Sequence, residues 1–245
     1  MSSETENDQS FIQHLEALRT ALIRCLICIG IALPVCFFIA PKILDFFIVK
    51  LAVNLNVTLS YFSPMEVFLL QIKIALFASL VVSFPLIAKN IWDFILPALH
   101  VKERKFIKSV VLTSTLLFCA GAAFCFFIIM PLLMGFGLSF QSEHLQAVLG
   151  VSTVVTLALR LSFVFGLGFQ TPLITYALLK SGLVSYESLA SKRSYIFVGT
   201  FIASVLVTPP DVLSLILLAL PIYILFEVGL LFSRPFKSVK PKEEE

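Results

Sequence analysis

Apolar residues run almost continuously along this chain, broken at intervals by short polar clusters. A helix that crosses a bilayer needs about 20 consecutive apolar residues, whereas membrane barrel strands alternate apolar and polar positions. The unbroken runs therefore predict spanning helices. The first covers 20–41, from Thr20 to Pro41, with Arg24 near its start and Pro34 placed to kink it. Residues 42–66 carry Lys42, Asp45, Lys50 and Glu66 and read as an external segment. Ser63-Pro64-Met65-Glu66 reads as a helix start, with proline at the first helical position. The second span follows over 67–96, with Lys73 near its outer end and Pro85 inside it. After the polar stretch 97–108, residues 109–142 carry no charge, too long a run for one straight span. Pro131, Gly135 and Gly137 predict that this third helix ends near 130–135, the remainder lying along the interface beside Glu143 and His144. The fourth span covers 152–179, with Arg160 near its start, and a polar loop occupies 180–193. The fifth covers 194–207 and stops at Thr208-Pro209-Pro210-Asp211; the sixth covers 212–232.

Six spans put both termini on one side. With the N-terminus inside, 14 of the 18 Lys and Arg residues fall on the inner side, and only Lys42, Lys50, Lys73 and Arg160 fall on the outer side. Cytoplasmic segments carry the excess of basic residues, so an N-in, C-in topology is expected. Residues 1–10 are polar and acidic, the reverse of a basic leader, and the first apolar run is expected to be retained. The expected fold is an all-α polytopic membrane protein with six transmembrane helices in one domain. It comprises a cytoplasmic N-terminal segment (1–19), a helical bundle (20–232) and a cytoplasmic tail (233–245). The fifth helix is short, because its 14 residues reach only about 21 Å. The sixth is expected to behave alike, since Glu227 leaves 15 uncharged residues, 212–226. Such a pair would sit beside locally thinned lipid.

Composition narrows the function. Of 245 residues, 59% are hydrophobic and 13% charged, with 25 phenylalanines and a mean hydropathy of +1.01. Soluble proteins carry about 25% charged residues, so a soluble enzyme or nucleic-acid binder is excluded. A net charge of +3 adds no case for a nucleic-acid partner. The five cysteines all lie in apolar runs, and Cys25-x-x-Cys28 reads as packing residues within a span rather than a redox or metal pair. His14, His100 and His144 fall in separate segments, so neither a metal nor a cofactor is expected. The chain contains no HExxH, no GxSxG and no P-loop, which argues against an enzyme.

A small set of polar groups remains. Glu16, Arg19, Glu103 and Arg104 lie near the inner ends of the first three spans. Lysines there read as topology-setting charge, but acidic residues contribute little to topology. Glu103 is therefore a candidate acceptor for a guanidinium, through a bidentate charge-assisted pair. Gln170, Asp211 and Glu227 lie within or near the bilayer. Gln170 either hydrogen-bonds between spans or meets a second protein, and Phe165-Gly166-x-Gly168-Phe169 before it permits close helix approach in either case. A rival class, a small-solute transporter or channel, would need several ionisable groups at mid-depth. A structural scaffold without cargo is the other rival.

His14-Leu15-Glu16-Ala17-Leu18-Arg19 resembles the HLxELR signature of the TatC family, the core subunit of the twin-arginine protein translocase. The likeness continues through Ser63-Pro64-x-Glu66-x-Phe68, Trp92-x-Phe94-Ile95-x-Pro97-Ala98-Leu99 and Glu103-Arg104. It extends to Phe165-Gly166-x-x-Phe169-Gln170-x-Pro172, Leu206-x-Thr208-Pro209-Pro210-Asp211, Pro221 and Phe226-Glu227, covering about 11–234 in order. The resemblance implies a receptor for twin-arginine signal peptides in the bacterial cytoplasmic (inner) membrane. It further implies single-span TatA and TatB partners, a homo-oligomeric complex and transport of folded proteins on the proton-motive force. Carried over by position, Glu103 would pair with the signal-peptide arginines, with Phe94, Pro97, Arg104 and Arg19 shaping that patch. Gln170 would face the membrane groove and its partner helices. Two positions depart from the family pattern. The signature glutamate is Ala17 here, and Glu16 lies one residue earlier, about 100° around a helix. The intramembrane glutamate is Gln170, which can hydrogen-bond but cannot relay a proton.

Overall fold

Inside hydrocarbon every backbone N–H and C=O needs an internal partner, so apolar runs close their hydrogen bonds as helices. The structure, a computed structural model, describes residues 2–55, 59–95, 104–142, 147–180, 182, 184–207 and 212–233. In order these form α1 (Ser2–Leu55), β1 (Leu59–Ser60), α2 (Pro64–Ile95), α3 (Arg104–Phe124), a π-helical turn (Cys125–Ile129) and α4 (Met130–Leu138). Then come β2 (Leu149–Gly150), α5 (Val151–Gly168), α6 (Thr171–Lys180), α7 (Tyr186–Ser191), α8 (Arg193–Val207) and α9 (Val212–Phe232). The two short strands pair in parallel, Leu59 with Leu149 and Ser60 with Gly150, and join the starts of α2 and α5 at one end of the bundle.

Several boundaries differ from the expectation. Residues 42–55, read as part of an external segment after the first span, continue α1, which passes through both Pro34 and Pro41. Polar residues such as Lys42 and Asp45 mark where a helix leaves hydrocarbon, not where it ends. The 54 residues of α1 reach about 81 Å, far beyond the bilayer core. The third helix continues to Leu138 rather than stopping near 130–135. A π-helical turn precedes Pro131, which then sits in the first turn of α4, where a missing N–H is tolerated. Residues 143–146, with Glu143 and His144, lie outside the described residues. The fourth span is broken at Phe169–Gln170, because Pro172 has no N–H to give and crowds the turn before it. Thr171 Oγ1 donates to the Gly168 carbonyl at 2.6 Å within this break. The expected 180–193 loop contains α7, capped by Ser185, whose Oγ accepts from the Ser188 N–H at 3.1 Å.

The start of α2 follows expectation. Glu66 Oε2 accepts from the Phe62 N–H at 3.0 Å and Ser63 Oγ from the Met65 N–H at 3.3 Å. These bonds satisfy donors that a helix start leaves open. Among the described residues, five helices are long and apolar enough to cross a membrane: Leu15–Lys50, Pro64–Phe94, Lys108–Leu138, Val151–Lys180 and Val212–Phe232. Helix α8 is shorter, its 15 residues reaching about 22 Å. Helix α9 corrects the expectation of a second short helix, since its 21 residues reach about 31 Å. Glu227 does not end it, because the carboxylate is met by Arg193 at 3.3 Å and by the Tyr223 hydroxyl at 2.9 Å.

Among the described residues, three apolar clusters hold the bundle. Cys36, Ala40 and Leu44 of α1 meet Leu70 and Ile74 of α2 and Val155 and Leu159 of α5. Phe126 and Met130 meet Ala158 and Phe165 of α5 and Leu218 of α9. Phe84 and Trp92 of α2 meet Phe118 of α3 and Leu173 and Ala177 of α6, with the Phe84 and Phe118 rings stacked 3.9 Å apart. Outside these clusters large apolar side chains point outward: Phe38 and Leu206 are each 83% exposed. A surface of that kind is stable only against lipid, and the chain is a multi-pass membrane protein.

Glycines permit close helix contacts at two places. A Cβ at Gly121 of α3 would stand 2.5 Å from the Phe165 carbonyl oxygen of α5, and one at Gly229 of α9 would stand 2.7 Å from Pro172 Cα. Both obstacles are backbone and cannot swing aside. By contrast, nothing lies within 4 Å of a Cβ at Gly30. Gly121→Ala is expected to destabilise the folded chain by about 1–3 kcal/mol through overpacking. Thermal unfolding in detergent should show a lowered midpoint for Gly121→Ala and an unchanged or raised one for Gly30→Ala.

Candidate functional site on the α1–α2 seam

Helices α1 and α2 run side by side, and Ser83 of α2 donates to the Cys28 carbonyl of α1 at 3.0 Å. At the end of the bundle opposite the strand pair, the seam opens into a cleft of about 490 Å³. Glu16, Ala17, Thr20, Ala21 and Arg24 of α1 line one wall, and Asn90, Asp93 and Phe94 of α2 line the other. Helical spacing accounts for the α1 set: positions 16, 17, 20, 21 and 24 share one face. The alanines at 17 and 21 leave the cleft open. Two carboxylates, Glu16 and Asp93, and one guanidinium, Arg24, sit on its walls, a balance of one negative charge.

One turn further along both helices the lining changes character. A second cavity, about 420 Å³, begins at Cys25 and Ile29 of α1 and at Ile91 and Trp92 of α2. It continues past Phe84 and Leu80 of α2, with Phe163 and Leu167 of α5 opposite. The stripes Ala17-Ala21-Cys25-Ile29 of α1 and Phe94-Ile91-Ile87-Phe84 of α2 pass from one lining to the other, so a charged cleft and an apolar cavity follow one another along the same helix faces.

Gln170 lies in the apolar part and is buried. Its Oε1 accepts from Ser114 Oγ at 2.7 Å, and its Nε2 donates to the carbonyls of Ser114 at 3.0 Å and Gly166 at 3.4 Å. Of the two roles open to it, the structure shows hydrogen bonding between spans. The turn that Pro172 imposes places Gln170 at the junction of α5 and α6, facing α3. Gly166 beside it packs internally as well, since a Cβ there would stand 2.6 Å from the Phe118 ring.

The candidate residues do not all meet. Glu16 and Phe94 come together in the cleft. Arg19 is exposed on α1 and is absent from the lining. Arg104 opens α3, but its side chain, together with Pro97, Glu103 and Asp211, lies outside the described residues. Glu227 stands apart, paired with Arg193 and Tyr223 between α8 and α9. Sequence reading missed Arg24, Asn90 and Asp93 as site residues. Asp93 was the unassigned position inside Trp92-x-Phe94, and its i, i+3 spacing from Asn90 was the available signal. Nothing in the sequence singled out Ser114 as the partner of Gln170.

The family model described as Sec-independent protein translocase protein (TatC) matches residues 13–221. The chain belongs to the TatC family. The Escherichia coli K12 protein named Sec-independent protein translocase protein TatC is 34% identical over 242 residues, covering 98% of this chain and 94% of that protein. The Haemophilus influenzae protein of the same name is 33% identical, covering 99% and 94%. A crystal structure described as the twin-arginine translocase receptor TatC superposes with a TM-score of 0.82 at 31% identity, covering 91% of this chain and 99% of that one. A second, described as TatC in DDM, gives a TM-score of 0.79 at 34% identity. As a TatC-family chain it is a component of a protein translocase, a transport protein rather than an enzyme.

The Gln170–Ser114 pair yields a test of helix coupling in this TatC-family bundle. Gln170→Leu strands the Ser114 hydroxyl and opens the α3–α5–α6 junction. A double-mutant cycle of Gln170→Leu with Ser114→Ala, read by unfolding in detergent, is expected to give a coupling of about 0.6–2 kcal/mol. Additive single-mutant effects would show that the two side chains act separately.

Proposed function

We propose that this chain is the signal-peptide receptor and core subunit of a twin-arginine translocase in the bacterial cytoplasmic (inner) membrane. One observation carries the reading: the acid-bearing cleft at Glu16 and Asp93 lies about one helical turn along α1 and α2 from an apolar cavity that both helices help to line. A twin-arginine signal peptide has the matching order, a guanidinium pair followed by an apolar stretch. Guanidinium forks pair bidentately with carboxylates, and apolar side chains enter a dry groove without leaving polar groups unpaired. Membership of a family whose solved relatives are described as the twin-arginine translocase receptor supports the same conclusion.

In this reading Glu103 is the main acceptor for the arginines, and Glu16 and Asp93 add negative charge at the mouth. Phe94 and Pro97 give an apolar edge, while Arg24, Arg19 and Arg104 set the register by repelling misplaced cations. Gln170 shapes the wall of the groove, with its polar atoms already taken by α3 and α5. Glu227 lies between α8 and α9, where single-span TatA and TatB subunits would pack, and Asp211 is assigned to the same partners from its place in the sequence. The chain acts as one domain with six spans, counting the short α8, and with both termini in the cytoplasm, as the 14-to-4 division of basic residues supports. Oligomeric assembly with further copies and transport on the proton-motive force complete the proposal.

Losing one partner of an interfacial charge pair costs about 2–5 kcal/mol, at least a 30-fold weakening. Glu103→Ala is expected to abolish export of twin-arginine substrates while membrane insertion stays intact. Asp93→Asn is expected to weaken photo-crosslinking from position 94 to a signal peptide by about tenfold, and an Arg-Arg→Lys-Lys peptide to lose the crosslink. Unchanged export in Glu103→Ala, or equal crosslinking of both peptides, would remove arginine capture from the mechanism.

A further inference from the structure

The α2 groove has a second charged end. Beyond the apolar channel, and sharing Leu80 and Phe163 with it, a cleft of about 360 Å³ lies between α2 and α5. Lys73 of α2 and Arg160 of α5 stand on its walls, both exposed. The rest of the lining is apolar apart from Thr156, whose Oγ1 accepts from Lys73 Nζ at 3.2 Å. Among the described residues no carboxylate comes within ion-pair distance of either cation, and the ion pair between described residues is Arg193 with Glu227.

The charge-free lengths show where these two cations stand relative to the bilayer. Residues 161–179 separate Arg160 from Lys180 with 19 uncharged positions, which reach at most about 30 Å across the break at Phe169–Gln170. That is the thickness of the hydrocarbon core. On α2, residues 74–88 separate Lys73 from Lys89 with 15 uncharged positions, and on α1, residues 25–41 separate Arg24 from Lys42 with 17. Lys73 and Arg160 are each nine residues from the first residue of their helices, whose starts the strand pair holds together. Both therefore reach the same level, the boundary between headgroups and hydrocarbon on the strand-pair side. Long basic side chains at that level extend toward phosphates.

We propose that this cleft binds one anionic phospholipid, its phosphate between Lys73 and Arg160 and one acyl chain along Leu80 and Phe163. Two cations with no carboxylate partner among the described residues call for an anionic group, and the apolar floor below them calls for a tail. The site is separate from the mouth at Glu16 and Asp93, so it stands or falls independently of signal-peptide capture.

The full chain, purified and delipidated in dodecyl maltoside, is mixed with phosphatidylglycerol, phosphatidylcholine or inorganic phosphate. Native mass spectrometry counts retained lipid, and thermal unfolding reports stabilisation. The expected result is one retained phosphatidylglycerol per chain and a raised midpoint with that lipid alone. K73Q/R160Q is expected to lower retention at least tenfold while keeping the wild-type midpoint in lipid-free detergent, and the charge-keeping K73R/R160K to retain the lipid. Equal retention of phosphatidylcholine, equal stabilisation by inorganic phosphate, or undiminished retention by K73Q/R160Q would each overturn the proposal. So would a photo-crosslinker at position 77 that captures a single-span subunit rather than lipid in native membranes.

Discussion

A charged side chain at the centre of a bilayer costs about 2.5–3.5 kcal/mol or more unless it reaches water, a headgroup or a partner. That penalty organises this molecule. Helix α2 carries Asp93, beside Glu16 and Arg24 of α1, toward one end and Lys73, beside Arg160 of α5, toward the other, with apolar lining between. Glu227, set within the last turns of α9, meets Arg193 and Tyr223. Gln170, polar and deep, meets Ser114 and the Gly166 carbonyl. Each polar group therefore lies at a membrane boundary or beside a partner, and the groove acquires chemically distinct ends without any charge at mid-depth.

The same groove depends on packing that has no hydrophobic drive behind it, since lipid is as apolar as the helices it surrounds. Shape must supply the cohesion. Gly121, Gly166 and Gly229 let backbones approach where any Cβ would collide, and Phe84 stacks on Phe118 beneath the channel. Helix α1 contributes one wall of the groove while most of its surface faces outward, as Ile31 at 72% and Phe38 at 83% exposure show. A receptor that must accept an apolar segment from the side gains from such an arrangement: a rigid centre, α3 with α5 and α6, and a seam formed by only two helices.

Much of this was legible in the residues. The start of α2 followed from Ser63-Pro64-x-Glu66, because capping chemistry is local and the bonds from Phe62 and Met65 need no distant partner. The brevity of α8 followed from the Thr208-Pro209-Pro210 stop. Pro172 marked the break in the fourth span only weakly, because Pro34, Pro41, Pro85 and Pro221 lie inside continuous helices. Whether a proline breaks a membrane helix depends on what neighbouring helices offer its freed carbonyl, which is not local information. The continuation of α1 to Leu55 was hidden for a related reason: Lys42, Asp45 and Lys50 signal departure from hydrocarbon, and helices persist beyond it.

Site residues divide in the same way. Glu16 and Phe94 could be singled out by type and motif, but Asp93 and Arg24 join them only because α1 and α2 pack at one register, fixed by contacts such as Ser83 with the Cys28 carbonyl. Hydropathy, charge bias and motif order were enough to establish a helical membrane protein of a particular family and the helices that carry its chemistry, because lipid imposes a one-dimensional rule on each span. The pairing of Gln170 with Ser114, the union of a charged mouth with an apolar channel, and the meeting of Lys73 with Arg160 rest on helix rotation and depth. Those are properties of pairs of helices, and no single span encodes them.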